Sequence, residues 1–167
     1  MPDAECTSTL APTFAVRNFA SFSPTERARL AEQVTRLEKR VFPAIEHFNY
    51  GIELKKKNVG LIVAIKRSDP NRVVAYLVYQ RMKRLAWLHK LCVVEQEREK
   101  GLGKRLILAL CAQMRRGGCQ SIHLWVDESR EPARALYASC QFKQCERRQD
   151  YYSNGRSALR LVLEFGG

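Results

Sequence analysis

The chain has 167 residues, 46% of them hydrophobic, which is enough to bury the core of one domain and fits one better than two. Its 29 Lys and Arg against 17 Asp and Glu leave a net charge of +12 and a pI near 9.8, a field that attracts polyanions and disfavours a polycationic acceptor such as a polyamine. No apolar run reaches the roughly 18 residues that would read as a membrane span.

Taken in order, residues 1–12 are expected to be flexible. Their opening, Met-Pro-Asp-Ala-Glu-Cys, lacks the basic and apolar regions of a secretory signal, so a cytoplasmic protein is expected, with the nucleus also open. Residues 13–19 alternate weakly and read as a first strand. Ser23-Pro24-Thr25-Glu26 is a capping box with proline at the first helical position, opening a helix through about Arg40 whose apolar face is Leu30, Val34, Leu37 and Val41. Phe42-Pro43 breaks that helix, and residues 44–57 are expected to hold a second, shorter one. Residues 59–66 and 72–80 are β-rich runs separated by the turn signal Ser68-Asp69-Pro70-Asn71, and residues 85–94 read as the next strand.

After that strand, Leu106, Leu110 and Met114 recur every four residues with Ile107 and Cys111 beside them, and Gly117-Gly118 follows: an amphipathic helix with a glycine stop. A strand at 122–126 comes next. Residues 143–152 and 158–165 flank Ser153-Asn154-Gly155 as a hairpin. The pattern is mixed α/β, without repeats or linkers, and is expected to form a single domain over 1–167. The six cysteines show no metal-ligand spacing, and five sit in apolar or helical patterns where a reduced thiol acts as a small hydrophobe, so neither metal nor disulfide is expected.

The chemistry concentrates in Arg98-Glu99-Lys100-Gly101-Leu102-Gly103-Lys104-Arg105, between a strand and a helix. The first amides of a helix have no intrahelical partner and carry the positive end of the macrodipole, so they can hold a phosphate through main chain alone. Gly101 and Gly103 have no Cβ and let the backbone approach the anion closely, while Lys100, Lys104 and Arg105 add positive charge. A Rossmann dinucleotide site shares the strand-loop-helix order but requires Gly-x-Gly-x-x-Gly, and the first of those glycines is missing here.

Arg98-x-x-Gly101-x-Gly103 after a strand resembles the acetyl-CoA motif of the GNAT acetyltransferases. A second block, Ile122 to Val126, then Ala133-Arg134-Ala135-Leu136-Tyr137, then Phe142, is similar to that family's following strand, its Leu-Tyr helix and its Gly-Phe. The resemblance covers residues from about 59 to 165. Three positions depart from it: Arg130 stands where the family usually has Asn, Gln141 replaces glycine before Phe142, and Glu95 replaces a common proline.

The resemblance implies the GNAT fold, an α/β arrangement with a central mixed, mostly antiparallel sheet splayed at the acetyl-CoA site and helices on both faces. It further implies that main-chain groups of Leu91, Cys92 and Val93 bind the thioester and pantetheine, and that Arg98, Glu99, Lys100, Gly101, Leu102, Gly103 and Lys104 cradle the pyrophosphate. Tyr137 takes the place of the general acid for the departing thiolate; a phenol near pKa 10 can donate to a thiolate whose acid lies near about 8.5. For the base, His89 matches the position of a catalytic histidine in arylalkylamine acetyltransferases, and imidazole titrates in the useful range. His123 is a weaker candidate, and Glu95 or a water relay stays open.

Residues 147–159 look like the tail of bacterial ribosomal-protein N-terminal acetyltransferases, with the paired Tyr151 and Tyr152 as substrate-side residues. Residues 37–43 resemble the Phe-Pro segment before the substrate loop of a eukaryotic N-terminal acetyltransferase. The expectation is an acetyl-CoA-dependent N-acetyltransferase acting on an amine, foremost a protein N-terminal α-amine. Alternatives are a small arylalkylamine acetyltransferase, or a non-catalytic CoA- or nucleic-acid-binding module. The scattered basic residues form no nucleic-acid motif and weigh against that last partner. The sequence carries no information on oligomeric state.

Overall fold

A computed structural model describes residues 13–166; the expected flexible segment at 1–12, with Cys6, lies outside the described residues. The chain divides into two compact units. One takes the described residues up to Val78 together with Lys90–Leu106, and the other takes Tyr79–His89 with the residues from Ile107 onward.

In the first unit, β1 (Phe14–Asn18) pairs antiparallel with β2 (Val59–Lys66), Phe14 opposite Lys66 and Asn18 opposite Ile62. Helix α1 (Pro24–Val41) begins on the predicted capping box: Ser23 Oγ accepts from the Glu26 amide at 3.3 Å, and Glu26 Oε2 accepts from the Ser23 amide at 3.0 Å. It stops at Phe42, which is extended as a residue before proline must be. The expected second helix is shorter than its segment: a 3-10 turn at Ala44–Glu46 and a four-residue helix α2 (Tyr50–Glu53). Leu30 and Val34 pack with Leu61, Val63 and Ile65 of β2 and with Val73, Tyr76 and Val78 in one apolar cluster.

Strand β3 (Asp69–Met82) passes from the first unit into the second, and β4 (Leu85–Val93) passes back. The turn before β3 is tighter than the sequence signal indicated. It occupies Arg67–Ser68, and Asp69-Pro70 already belong to the exposed start of the strand, a position that tolerates the missing amide of proline. Helix α3 (Leu102–Arg116) ends at Gly118, whose φ of 84° lets the Cys119 amide reach the Met114 carbonyl at 2.9 Å.

The second unit continues with β5 (Ser121–Asp127), α4 (Glu131–Ser139), β6 (Lys143–Ser153) and β7 (Arg156–Glu164). The end of α4 repeats the geometry at Gly118, with the Phe142 amide bonded to the Tyr137 carbonyl at 3.1 Å. Here Gln141 takes the left-handed conformation, φ 73°, at the position where the resembling family carries glycine. The strands are hydrogen-bonded in the order β1-β2-β3-β4-β5-β7-β6, so β6 is an edge strand. The pairings of β5 with β7 and of β7 with β6 are antiparallel, while β4 with β5 is parallel. Four of the five described cysteines, Cys92, Cys111, Cys119 and Cys140, are buried thiols; Cys145 on β6 is exposed, contrary to an apolar environment for it.

Candidate active site

The loop between β4 and α3 is built by two left-handed residues. After a 3-10 turn at Glu95–Glu97 and an extended Arg98, Glu99 takes φ 64° and Gly101 φ 79°. The first bond of α3 runs from the Arg105 amide to the Gly101 carbonyl at 3.1 Å. Among the described residues no acceptor receives the main-chain amides from Glu99 to Lys104. Side chains 98–101 are exposed, while Leu102, at 1% exposure, anchors the helix start in the core. A row of N–H groups without hydrogen-bond partners among the described residues results, at the positive end of a fifteen-residue helix, with Leu102 and Gly103 buried.

The surrounding charges differ in part from the sequence reading. Lys100 does not simply add a free cation: its ammonium lies 2.7 Å from Glu97 Oε2, and Lys66 holds Glu97 Oε1 at 3.1 Å. Glu97 is 4% exposed, and the bonds from Lys100 and Lys66 keep its carboxyl below the usual carboxylate range against the opposing pull of burial. Arg98 turns back on the strand, Nε donating to the Val93 carbonyl at 3.1 Å. Lys104 is exposed. Arg105 Nη1 is buried without a hydrogen-bond partner among the described residues, an orphaned donor that fits a polyanionic ligand at this helix start.

Strand β4 leaves its parallel partner early. Leu85, Ala86 and Trp87 pair with Ser121, Ile122 and His123, and the register ends there although β4 runs on to Val93 and β5 to Asp127. Beyond that register with β5, Cys92 is buried while Leu91 and Val93 are half-buried on the opposite face of β4. His89 shares that face with Trp87, is exposed, and places Nε2 2.9 Å from Gln80 Oε1. Because that oxygen can only accept, His89 donates to it through Nε2.

Tyr137 lies in α4, 7% exposed, its ring set edge-on to Phe142 at 5.7 Å. Burial pushes its phenol up to about 12, with the Arg130 guanidinium pulling the other way and Cys140 adding to the rise. No hydrogen bond contributes to that balance. Thus Arg130, where the family's Asn was missed, bears electrostatically on the acid candidate.

His123 is committed elsewhere. Its Nδ1 accepts from Arg160 Nη1 at 3.1 Å, its Nε2 lies 3.1 Å from Ser121 Oγ, and its ring meets Trp87 at 5.2 Å. Burial, seconded by the Arg160 charge, lowers its pKa against the opposing pull of Glu164.

The hairpin brings together residues that strict alternation would separate. A register shift between Arg148 and Ser153, with Asp150 at φ 54°, sets the Tyr151 and Tyr152 rings 5.1 Å apart and perpendicular. Tyr151, 43% exposed, stacks on Trp125 of β5 at 4.9 Å and 15°, and the Arg148 guanidinium lies 4.9 Å from the same indole. Arg156 covers Tyr152 at 5.1 Å and is fixed by Asp127 Oδ2 at 3.0 Å. Sequence reasoning singled out the tyrosine pair but not the Trp125 stack or its arginine.

The profile of the acetyltransferase (GNAT) family matches residues 21–142. The N-alpha-acetyltransferase MAK3 of Arabidopsis thaliana is 32% identical over 79 residues, 47% of this chain and 42% of that protein. The [ribosomal protein bS18]-alanine N-acetyltransferase of Haemophilus ducreyi is 30% identical over 88 residues, 53% of this chain and 61% of that protein. The matched region thus spans less than two thirds of either relative. In fold, the chain is similar to the crystal structure of Arabidopsis thaliana NAA60 in complex with a bisubstrate analogue, with a TM-score of 0.76 and 18% identity over 93% of this chain and 99% of that one. With a strand that parts from its neighbour, a glycine-opened helix start behind it and a profile match across most of its length, this chain belongs to the acetyltransferase (GNAT) family.

Proposed function

We propose that this protein is an acetyl-CoA-dependent N-acetyltransferase whose acceptor is a protein N-terminal α-amine, taken directly from solution onto the thioester without an acyl-enzyme. The observation that carries the reading is the row of unpaired amides from Glu99 to Lys104 at the head of α3, where a CoA pyrophosphate would lie. The continuous family match over 21–142 supports treating both units as parts of one catalytic domain. A net charge of +12 raises the local concentration of a polyanionic cosubstrate. Cytoplasmic residence goes with the proposed acceptor, since new protein N-termini arise there.

In this reading the main chain of Leu91, Cys92 and Val93 holds the pantetheine arm and polarises the thioester carbonyl. The amine nitrogen attacks the carbonyl carbon, the C–S bond breaks, the amine loses a proton and the thiolate gains one. Tyr137 donates to the departing sulfur. His89, held by Gln80, accepts the amine proton. Near pH 7 roughly a tenth of an α-amine with pKa about 7.7 to 8.0 is already deprotonated, so a modest base suffices, whereas lysine near about 10.4 asks more of one. Tyr151 and Tyr152 with Trp125 supply an aromatic wall for the acceptor.

Mass spectrometry of a peptide library incubated with acetyl-CoA tests the reading. Acetylation at α-amines is expected, and acetylation confined to internal lysines would refute it. The position of His89 favours one second reading, a small arylalkylamine as acceptor; turnover of tryptamine with none on peptides would select it.

A further inference from the structure

Helix α1 buries a charge in its apolar stripe. Leu30, Val34 and Glu38 follow at i, i+4 and i+8, and Glu38 is 1% exposed. Such a carboxylate is tolerated only when its oxygens are satisfied. Oε1 accepts from the Tyr50 hydroxyl at 2.5 Å and from the Tyr76 hydroxyl at 3.4 Å, and lies 3.9 Å from Lys90 Nζ. Oε2 accepts from the main-chain amide of Phe48. Lys90 in turn donates to the Glu46 carbonyl, and its ammonium rests 4.3 Å from the Phe42 ring. Both phenols are pushed upward, chiefly by burial, and remain donors throughout the neutral range.

The segment this pair grips is the loop of residues 42–49 between α1 and α2. Apolar packing holds only the two ends of the loop: half-buried Phe42 and Phe48 lie against the core cluster, with the Phe48 ring 5.4 Å from that of Tyr50, while between them Ile45 is 86% exposed and a cavity of about 300 Å³ opens beside Glu38, His47 and Phe48. Two main-chain points, the Phe48 amide and the Glu46 carbonyl, tie the loop to a carboxylate on α1 and an ammonium on β4. Lys90 immediately precedes Leu91, the first residue of the stretch assigned above to the thioester. Whatever shifts the loop is therefore one residue from the reacting end of β4.

We propose that the buried Glu38–Lys90 pair is a positioning device that holds the loop of residues 42–49 as a wall of the acceptor-amine site, so that Glu38 governs how tightly the acceptor is held without touching acetyl-CoA. This rests on the N-acetyltransferase reading. Glu38→Gln keeps the side-chain shape, but an amide cannot serve both the phenols and the Phe48 N–H as acceptor.

With free-α-amine decapeptides beginning with Ala or Met as acceptors, Glu38→Gln is expected to raise the peptide KM about tenfold or more, the scale of one buried bond to a charged group. The acetyl-CoA Kd by calorimetry should stay within about twofold, and hydrogen exchange at the Phe48 amide should accelerate. Tyr76→Phe, which removes a phenol and leaves the loop bond intact, should leave the peptide KM unchanged; it separates positioning from general stability. If Glu38→Gln does not fold, Lys90→Met, which releases the Glu46 carbonyl, is read by the same three measurements. An unchanged peptide KM in an active protein, or equal losses for peptide and acetyl-CoA, overturns this proposal alone. A parent protein that acetylates no α-amine overturns the functional reading, and this proposal with it.

Discussion

Replacing Tyr137 by Phe removes one oxygen from a buried ring and nothing else. The ring keeps its edge-on contact with Phe142, and no hydrogen bond to the hydroxyl is lost, so folding stability should change by no more than about 0.5 kcal/mol. Catalysis is another matter. With the phenol at about 12 and a thiol near about 8.5, complete proton transfer to a free thiolate is uphill by about 5 kcal/mol, so the hydroxyl acts chiefly by bonding to the sulfur as charge develops. Removing one such donor costs about 2.7 to 4 kcal/mol, or roughly 10²- to 10³-fold in kcat. Steady-state release of free CoA, with calorimetric acetyl-CoA binding as control, measures it. A second signature follows from the same number: because the phenol stays protonated up to about pH 12, its titration should cause no decline in parent kcat below about pH 10. A kcat within about threefold of the parent, at intact acetyl-CoA affinity, would refute the assignment of Tyr137 as the acid.

Gly101 sits at φ 79°, so Gly101→Val adds backbone strain of about 1 to 2 kcal/mol at the proposed pyrophosphate cradle; calorimetry should show acetyl-CoA affinity down about tenfold or more. Glu97 has a folded pKa below its unfolded one, so its contribution to stability is present above about pH 4.5 and lost as pH falls through the folded value. Urea melts of the parent and Glu97→Gln should therefore differ most at neutral pH and converge as the pH falls below 4.5. Gln141 occupies a left-handed position at the end of α4, and Gln141→Gly should raise the Tm by about 2 to 4 °C for a gain of about 1 kcal/mol; a lower Tm would mean the glutamine side chain contributes more than its backbone strain costs.

Where periodicity decides, the sequence was readable. The capping box at Ser23, the four-residue spacing from Leu106 to Met114 and the glycine at position 118 each act through backbone hydrogen bonds within a few residues, so their effect is local. The turn at Gly101 that opens α3 was legible for the same reason, being a property of one helix start. What escaped depends on partners distant in the chain. Glu38 lay within the helix whose apolar stripe was read correctly, but its meaning required Tyr76 and Lys90, thirty-eight and fifty-two residues away. Lys100 read as free charge because Glu97 as a buried partner follows from burial, which spacing does not reveal. Trp125 and Tyr151 meet only because an aspartate at φ 54° re-aims the strand, and nothing in Arg148-Gln149-Asp150 announces that conformation.

The outermost strand, β6, has an open edge of main-chain donors and acceptors, the kind of surface on which foreign strands add and fibrils start. Its sequence counters that hazard. Lys143, Glu146, Arg147 and Arg148 line it with charge, and the irregularity before Ser153 spoils the straight register an incoming strand would need. Such a rim disfavours the addition of another strand, and neutralising it would be felt first as loss of solubility at high concentration.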